Sequence, residues 1–272
     1  VATPLTLSRI FSDPDLNGAT PRLPQFSPDA KRVTWLQGSI DNAERLDLWQ
    51  YDIESAAASM LIASDSLTTG DRVLSDEEKA RRERKRVFES GIVEYFWLPD
   101  GSAILFPLDG VLYLHVLSTE DATAGTTENP AMAATGETRQ LTPESTFQTD
   151  IRFSPDSKYL SFVRDKNLFT IDLATYAERQ LTFDGKGTVT NGLAEFIAAE
   201  EMHRFDGYWW SPDSLQIAFV RVDESTVDLT QRFEIDADNF SIFDQRYPFA
   251  GKANAQVQIG ITDLEGAIEW LD

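Results

Sequence analysis

Trp209-Trp210-Ser211-Pro212-Asp213-Ser214 runs into an apolar strand-like stretch, Gln216–Val220, and is the last of four copies of one pattern. The earlier copies are Phe26-Ser27-Pro28-Asp29-Ala30, Trp97-Leu98-Pro99-Asp100-Gly101 and Phe153-Ser154-Pro155-Asp156-Ser157. Each has an aromatic residue, a variable one, Pro-Asp, and then a small residue. Proline presets φ for a turn, and an aspartate side chain can hydrogen-bond to the backbone that follows it. A strand leads into each turn, as at Ile92–Phe96 and Asp150–Phe153. A second strand leaves it: Arg32–Leu36, Ala103–Phe106, Tyr159–Val163 and Gln216–Val220.

Two further strands complete each unit. The third strands are Asp47–Ile53, Val111–Val116, Leu168–Leu173 and Ala255–Ile261. The fourth are Ser59–Ala63, Thr138–Thr142, Arg179–Thr182 and Ile268–Leu271, two of which share Arg-Gln-Leu-Thr. Four short antiparallel strands recurring every few dozen residues are the sequence form of propeller blades. The expected fold is therefore all-β, a partial β-propeller of four blades at roughly 1–70, 71–143, 144–190 and 191–272, with short helical insertions. The competing reading is a sandwich of unrelated hairpins, which does not explain four equivalent turns.

The 272 residues are 42% hydrophobic and 25% charged, a globular composition. No apolar run approaches the length of a spanning helix, and the opening Val1-Ala2-Thr3-Pro4 lacks the charged, apolar and small-residue progression of a signal peptide, as expected of a leader never there or already removed. There is no cysteine, so disulfides and thiolate metal sites are excluded. A net charge of −21 speaks against nucleic acid as a partner, because phosphate binding needs clustered Lys and Arg. It suits cationic ligands such as peptide amino termini, and equally suits plain solubility.

Four segments interrupt the repeat. Glu120–Glu137, rich in Ala, Thr and Glu, reads as a surface loop. Asp223–Lys252 is a long aromatic and acidic insertion between the second and third strands of the fourth unit, suited to packing on another subunit or domain. Leu74–Glu89 reads as a helix with Ser75 as N-cap, acids in its first turn and Arg81, Arg82, Arg84, Lys85 and Arg86 at its end, as the helix dipole prefers. Ala194–Arg204 reads as a short helix carrying Glu200 and Glu201. A bare Glu-Glu pair is most often a solvated face, but this one sits in a blade otherwise built from tight turns.

The order of these segments resembles the propeller domain of the dipeptidyl peptidase IV family, in its bacterial form, within the prolyl oligopeptidase superfamily. The resemblance is carried by Leu5-Thr6-Leu7-Ser8-Arg9-Ile10-Phe11, Leu46–Asp52, Ser75–Arg84, Gly91–Tyr95, Ala194-Glu195-Phe196 with Glu200-Glu201-Met202, Tyr208–Asp213, and Gln245-Arg246-Tyr247-Pro248 with Ala250-Gly251 and Asn254. It implies an eight-bladed propeller, of which this chain would be about half. It implies that Glu200 and Glu201 hold the free amino terminus of a peptide substrate. It also implies that an arginine of the Ser75–Arg86 helix orients that substrate, with Arg86 favoured and Arg82 one turn earlier as the alternative. Release of dipeptides with Pro or Ala second, homodimerisation, and a periplasmic or secreted location are further implications.

No Gly-x-Ser-x-Gly elbow is present, and the two histidines are His115, in a predicted strand, and His203, beside the glutamates. A catalytic triad cannot be assembled from these, so hydrolysis is expected in a C-terminal hydrolase domain outside this chain, and the chain alone is expected to be inactive. Neither a cofactor nor a metal is called for. Two alternatives stay open: a non-enzymatic propeller scaffold for protein binding, and an acylaminoacyl or tripeptidyl peptidase of the same superfamily.

Overall fold

The computed structural model describes residues 5–12, 16, 18–38, 42–67, 74–117, 136–144, 146–235 and 238–271. Most of the Glu120–Glu137 loop lies outside them. The chain divides into two compact units, Val1–Phe147 and Gln148–Asp272. Among the described residues no helix is long and apolar enough to cross a membrane.

After a one-turn helix α1 (Leu7–Ile10), the first unit builds two sheets. The first is an antiparallel meander of β1 (Arg22–Phe26), β2 (Arg32–Gly38), β3 (Arg45–Asp52) and β4 (Ala57–Ile62). Helix α2 (Asp76–Lys85) follows, then the two-residue β5 (Ser90–Gly91). The second sheet joins β6 (Phe96–Trp97), β7 (Ala103–Leu108), β8 (Val111–Val116) and β9 (Glu137–Gln140).

The expected strand Ile92–Phe96 is corrected here. Only Phe96–Trp97 pairs with β7, while Ser90–Gly91 runs parallel to β3 of the neighbouring sheet. Gly91 makes this possible: its φ is +75°, and a Cβ there would lie 2.5 Å from the Leu46 carbonyl oxygen.

In the second unit, β10 (Thr149–Phe153), β11 (Tyr159–Arg164), β12 (Asn167–Asp172) and β13 (Glu178–Gln180) form the third sheet. In the fourth, β14 (Val189–Asn191) and β15 (Tyr208–Trp210) both pair with β16 (Gln216–Asp223), at opposite ends of that strand. Helix α3 (Phe196–Glu200) lies between them in sequence. The insertion is a hairpin, β17 (Leu229–Ile235) with β18 (Phe240–Arg246), before β19 (Gln256–Asp263) and β20 (Ile268–Trp270) complete the sheet. Phe233, Ile235, Phe240 and Ile242 share one face of the hairpin, since opposed residues point the same way, and all four are exposed.

The repeated turn has one chemistry. Ser27, Ser154 and Ser211 each donate a hydroxyl hydrogen bond to the aspartate two residues on, at 2.6, 2.7 and 2.6 Å. Each also accepts from the backbone N–H that opens the next strand, at Arg32, Tyr159 and Gln216. In the second copy Leu98 replaces the serine, and Ser102 donates to Asp100 instead, at 2.6 Å. The small residue takes the left-handed conformation in all four, with φ of 57° at Ala30, 75° at Gly101, 63° at Ser157 and 62° at Ser214. That explains the size limit. The Arg-Gln-Leu-Thr strings share a second device: Thr142 and Thr182 accept from the Leu112 and Leu168 N–H groups, and Gln140 and Gln180 donate to the same threonines' carbonyls.

Within each unit the two sheets share a core. Leu36, Leu48 and Leu61 meet Ile92, Ile104 and Phe106 in the first, and Val163, Leu168 and Leu181 meet Tyr208, Ile217 and Phe219 in the second. A tyrosine joins each pair. Tyr95 donates toward the Leu23 carbonyl at 2.7 Å and the Thr34 carbonyl at 2.8 Å, while Trp97 donates to Thr34 Oγ1. Tyr208 donates to the Asp150 carbonyl at 2.5 Å and accepts from Ser161 Oγ, to which Trp210 donates. The Leu23 and Asp150 carbonyls sit at β-bulges, where these residues have φ of 49° and 51°.

Candidate functional site

The split first strand of the fourth sheet carries the glutamate pair. Chain leaves the sheet after Asn191 and rejoins it at Tyr208, with an isolated bridge between Leu193 and Asp206 closing the neck. Helix α3 is shorter than Ala194–Arg204, for two local reasons. Glu195 is its N-cap, its carboxylate accepting from the Ile197 and Ala198 N–H groups at 2.6 and 2.7 Å. At the other end the N–H groups of Met202 and Arg204 turn back to the Ile197 and Ala198 carbonyls, and His203 takes φ of 53°. Glu200 is the last helical residue and Glu201 its C-cap; Glu200 is partly buried and Glu201 exposed.

The return from α3 is held by a cluster that sequence reasoning missed. Arg152 of β10 donates to Asp150 at 2.8 Å and to Asp206 at 2.5 Å, and its guanidinium lies 5.1 Å from the Tyr208 ring centroid. Burial works against the charge of Arg152, but the two aspartates raise its pKa above the usual arginine value. Arg204 donates to the Asp206 carbonyl at 2.6 Å. The neck that carries Glu200 and Glu201 is thus tied to the third sheet through Asp206. No signal in the sequence marks the tie of Arg152 to the neck, because Asp206 lies 54 residues away.

In the first unit, α2 begins at Ser75, whose hydroxyl accepts from the Glu78 N–H at 3.2 Å. It ends earlier than the predicted Glu89, because Arg86 closes it in the left-handed conformation with φ of 58°. The helix is not a solvated one. Glu78 is buried and pairs with Arg82 at 2.8 Å and Arg81 at 3.4 Å, and Arg81 also reaches Glu94 at 2.6 Å. Burial alone would raise the Glu94 pKa; the charge and hydrogen bond of Arg81, with Lys85 and Arg82, outweigh it and hold the carboxyl below the usual range. Arg82 is committed to this network, whereas Arg86 is exposed and donates to the Glu83 carbonyl.

Of the predicted residues, Glu200 and Glu201 thus belong to one unit and Arg86 to the other. His115 is buried in β8 with Nδ1 2.8 Å from Thr138 Oγ1, and His203 is exposed. Among the described residues no group of three or more His, Asp or Glu is arranged to hold a metal ion. Carboxylates at the end of a short helix can accept charge-assisted hydrogen bonds from a cation.

Comparisons with known proteins agree with this architecture. Dipeptidyl peptidase 8 of Mus musculus is 27% identical over 271 residues, a match covering 87% of this chain and 29% of the relative. The inactive dipeptidyl peptidase 10 of Rattus norvegicus is 26% identical over 147 residues, covering 51% of this chain and 18% of the relative. The crystal structure of Porphyromonas gingivalis dipeptidyl peptidase 4 superposes with a TM-score of 0.63 at 22% identity, covering all of this chain and 35% of that one. The four sheets are accordingly blades of a partial β-propeller. This chain spans about a third or less of each relative's length. The family model described as the dipeptidyl peptidase IV (DPP IV) N-terminal region matches residues 131–270, just over half of the 272 residues, and the chain belongs to that family.

Proposed function

We propose that this chain is the substrate-gating and amino-terminus-anchoring part of a serine dipeptidyl peptidase, which releases dipeptides from peptides with Pro or Ala in second position. Glu200 and Glu201 accept the α-ammonium group of the incoming peptide, and Arg86 helps orient it. An α-ammonium offers three donors, of which two carboxylates take two. Fixing the charged end fixes how far the chain reaches toward a nucleophile, so the register of cleavage is set by the anchor. The observation that carries this reading is the interruption of one blade strand, within a family of dipeptidyl peptidases, by a braced helix ending in two carboxylates.

Hydrolysis itself is assigned to a hydrolase domain outside this chain. Export to the periplasm or medium, and pairing of two copies through the exposed hairpin, belong to the same proposal. The test replaces Glu200 and Glu201 by Ala in the full-length polypeptide. Charge-assisted hydrogen bonds contribute about 1.5–3 kcal/mol each, so kcat/KM for a free-amine Ala-Pro anilide should fall by at least about 100-fold. Unchanged dipeptide release would overturn the anchor role. Preference for N-acetylated or tripeptide-yielding substrates in the unaltered protein would point to an acylaminoacyl or tripeptidyl enzyme. A second reading, a propeller that binds proteins without catalysis, is favoured by the relative named as inactive. It predicts no turnover by the full-length polypeptide.

A further inference from the structure

Helix α3 has five residues, too few to be stable alone, so the position of Glu200 and Glu201 is set by what the helix touches. One end is braced through Asp206, as described. At the other end, the ring of Phe196, the first helical residue, stands edge-on to Tyr247 at a centroid distance of 5.1 Å. Tyr247 in turn stands edge-on to Phe249 at 4.9 Å. Both arrangements are ones aromatic pairs prefer over face-to-face stacking, so each ring fixes the orientation of the next.

Tyr247 and Phe249 form the root of the β17–β18 hairpin. The Tyr247 N–H donates to the Asp228 carbonyl at 3.0 Å, and the Lys252 N–H to the Phe249 carbonyl at 3.0 Å. Arg246 closes the root further by donating to the Val227 carbonyl at 2.5 Å. The hairpin root therefore meets the start of α3 ring against ring, Tyr247 on Phe196, with Phe249 packed on the far side of Tyr247.

We propose that Tyr247 is a positioning residue for the glutamate pair, and that hairpin and glutamates are thermodynamically coupled through Phe196, Tyr247 and Phe249. Ordering the glutamate helix on a ligand tightens the hairpin root, and fixing the hairpin against a neighbour tightens ligand binding by the same factor, since such coupling is reciprocal. This inference rests on the reading that Glu200 and Glu201 hold a peptide amino terminus. It adds a route by which whatever occupies the hairpin regulates that site.

The experiment uses the full-length polypeptide, with Ala-Pro-amide as probe and its N-acetylated counterpart as control. Calorimetry gives affinity, and hydrogen exchange gives protection of the Tyr247, Phe249 and Lys252 amides. In the unaltered protein the probe should slow exchange at these three amides. Tyr247→Phe should keep affinity and protection, because the ring remains. Tyr247→Ala should bind the probe about 5-fold or more weakly and lose the protection. Equal affinity in Tyr247→Ala, or root amides indifferent to the probe in the unaltered protein, overturns the coupling. The exchange measurement needs no variant, so a Tyr247→Ala protein that fails to fold leaves the idea exposed to refutation. If the unaltered protein binds the acetylated control as well as the probe, the amine-anchor reading fails, and the coupling falls with it.

Discussion

Replacing Tyr208 by Phe removes one oxygen atom from a fully buried ring and opens no cavity beyond it. What is lost is the donor to the Asp150 carbonyl, 2.5 Å away, and the acceptor for Ser161 Oγ at 3.1 Å. Ser161 keeps the Arg152 carbonyl as an alternative acceptor, so the loss falls on the Asp150 carbonyl. A buried hydrogen bond contributes about 1 kcal/mol net, and a buried acceptor left short of its donor costs about 1–3 kcal/mol, so a loss of about 2 kcal/mol is expected. The entropy of unfolding is about 2.1 cal/mol/K per residue, so over 272 residues the melting temperature should fall by about 3–4 °C. It should fall by about 8 °C if the second unit melts by itself. Thermal unfolding followed by near-ultraviolet circular dichroism measures this, with urea titration to check that the m-value is unchanged. A shift below about 1 °C would refute the claim that the hydroxyl pins the bulge at Asp150.

Tyr95 gives a pH signature, since burial pushes its hydroxyl up to about 12 against an ordinary value near 10. Because the folded value is the higher one, its stabilisation is complete below about pH 10 and disappears as pH rises through about 12; alkaline unfolding of Tyr95→Phe should lack that step. At Gly207 an added Cβ would meet the Gly192 backbone, which cannot rotate away. Gly207→Ala should therefore destabilise the protein by at least about 1–3 kcal/mol in urea titration, and a neutral result would mean that the neck at Leu193 and Asp206 is looser than described.

The turn motif made the sheets legible because its chemistry is local: serine, aspartate and a left-handed small residue lie within five positions. Even where Leu98 breaks the pattern, the substitute hydroxyl on Ser102 is only four residues on. Legibility fails where a bond crosses between sheets. The pairing of Ser90–Gly91 with β3, the tie of Arg152 to Asp206, and the packing of Phe196 on Tyr247 join residues 45 to 54 positions apart. No periodicity encodes them. Helix ends differ from the sequence expectation for a related reason, because composition extends a helix further than its caps allow. Glu195 and Arg86 act as caps in the structure, although neither is among the residues that composition would nominate. The glutamate pair stands out in the sequence by its odd placement, since its chemistry resembles that of any solvated face.

The tyrosine that locks neighbouring sheets sits two residues before the turn aromatic, and it occurs only at Tyr95 and Tyr208; the other two copies have Pro24 and Ile151 there. The turn aromatic alternates in step, Phe26, Trp97, Phe153, Trp210. The structural repeat in this chain is therefore a doublet of blades. A duplication or circular permutation that moves blades two at a time keeps each tyrosine with its bulge, while a shift by one parts Tyr95 from the Leu23 carbonyl and Tyr208 from the Asp150 carbonyl.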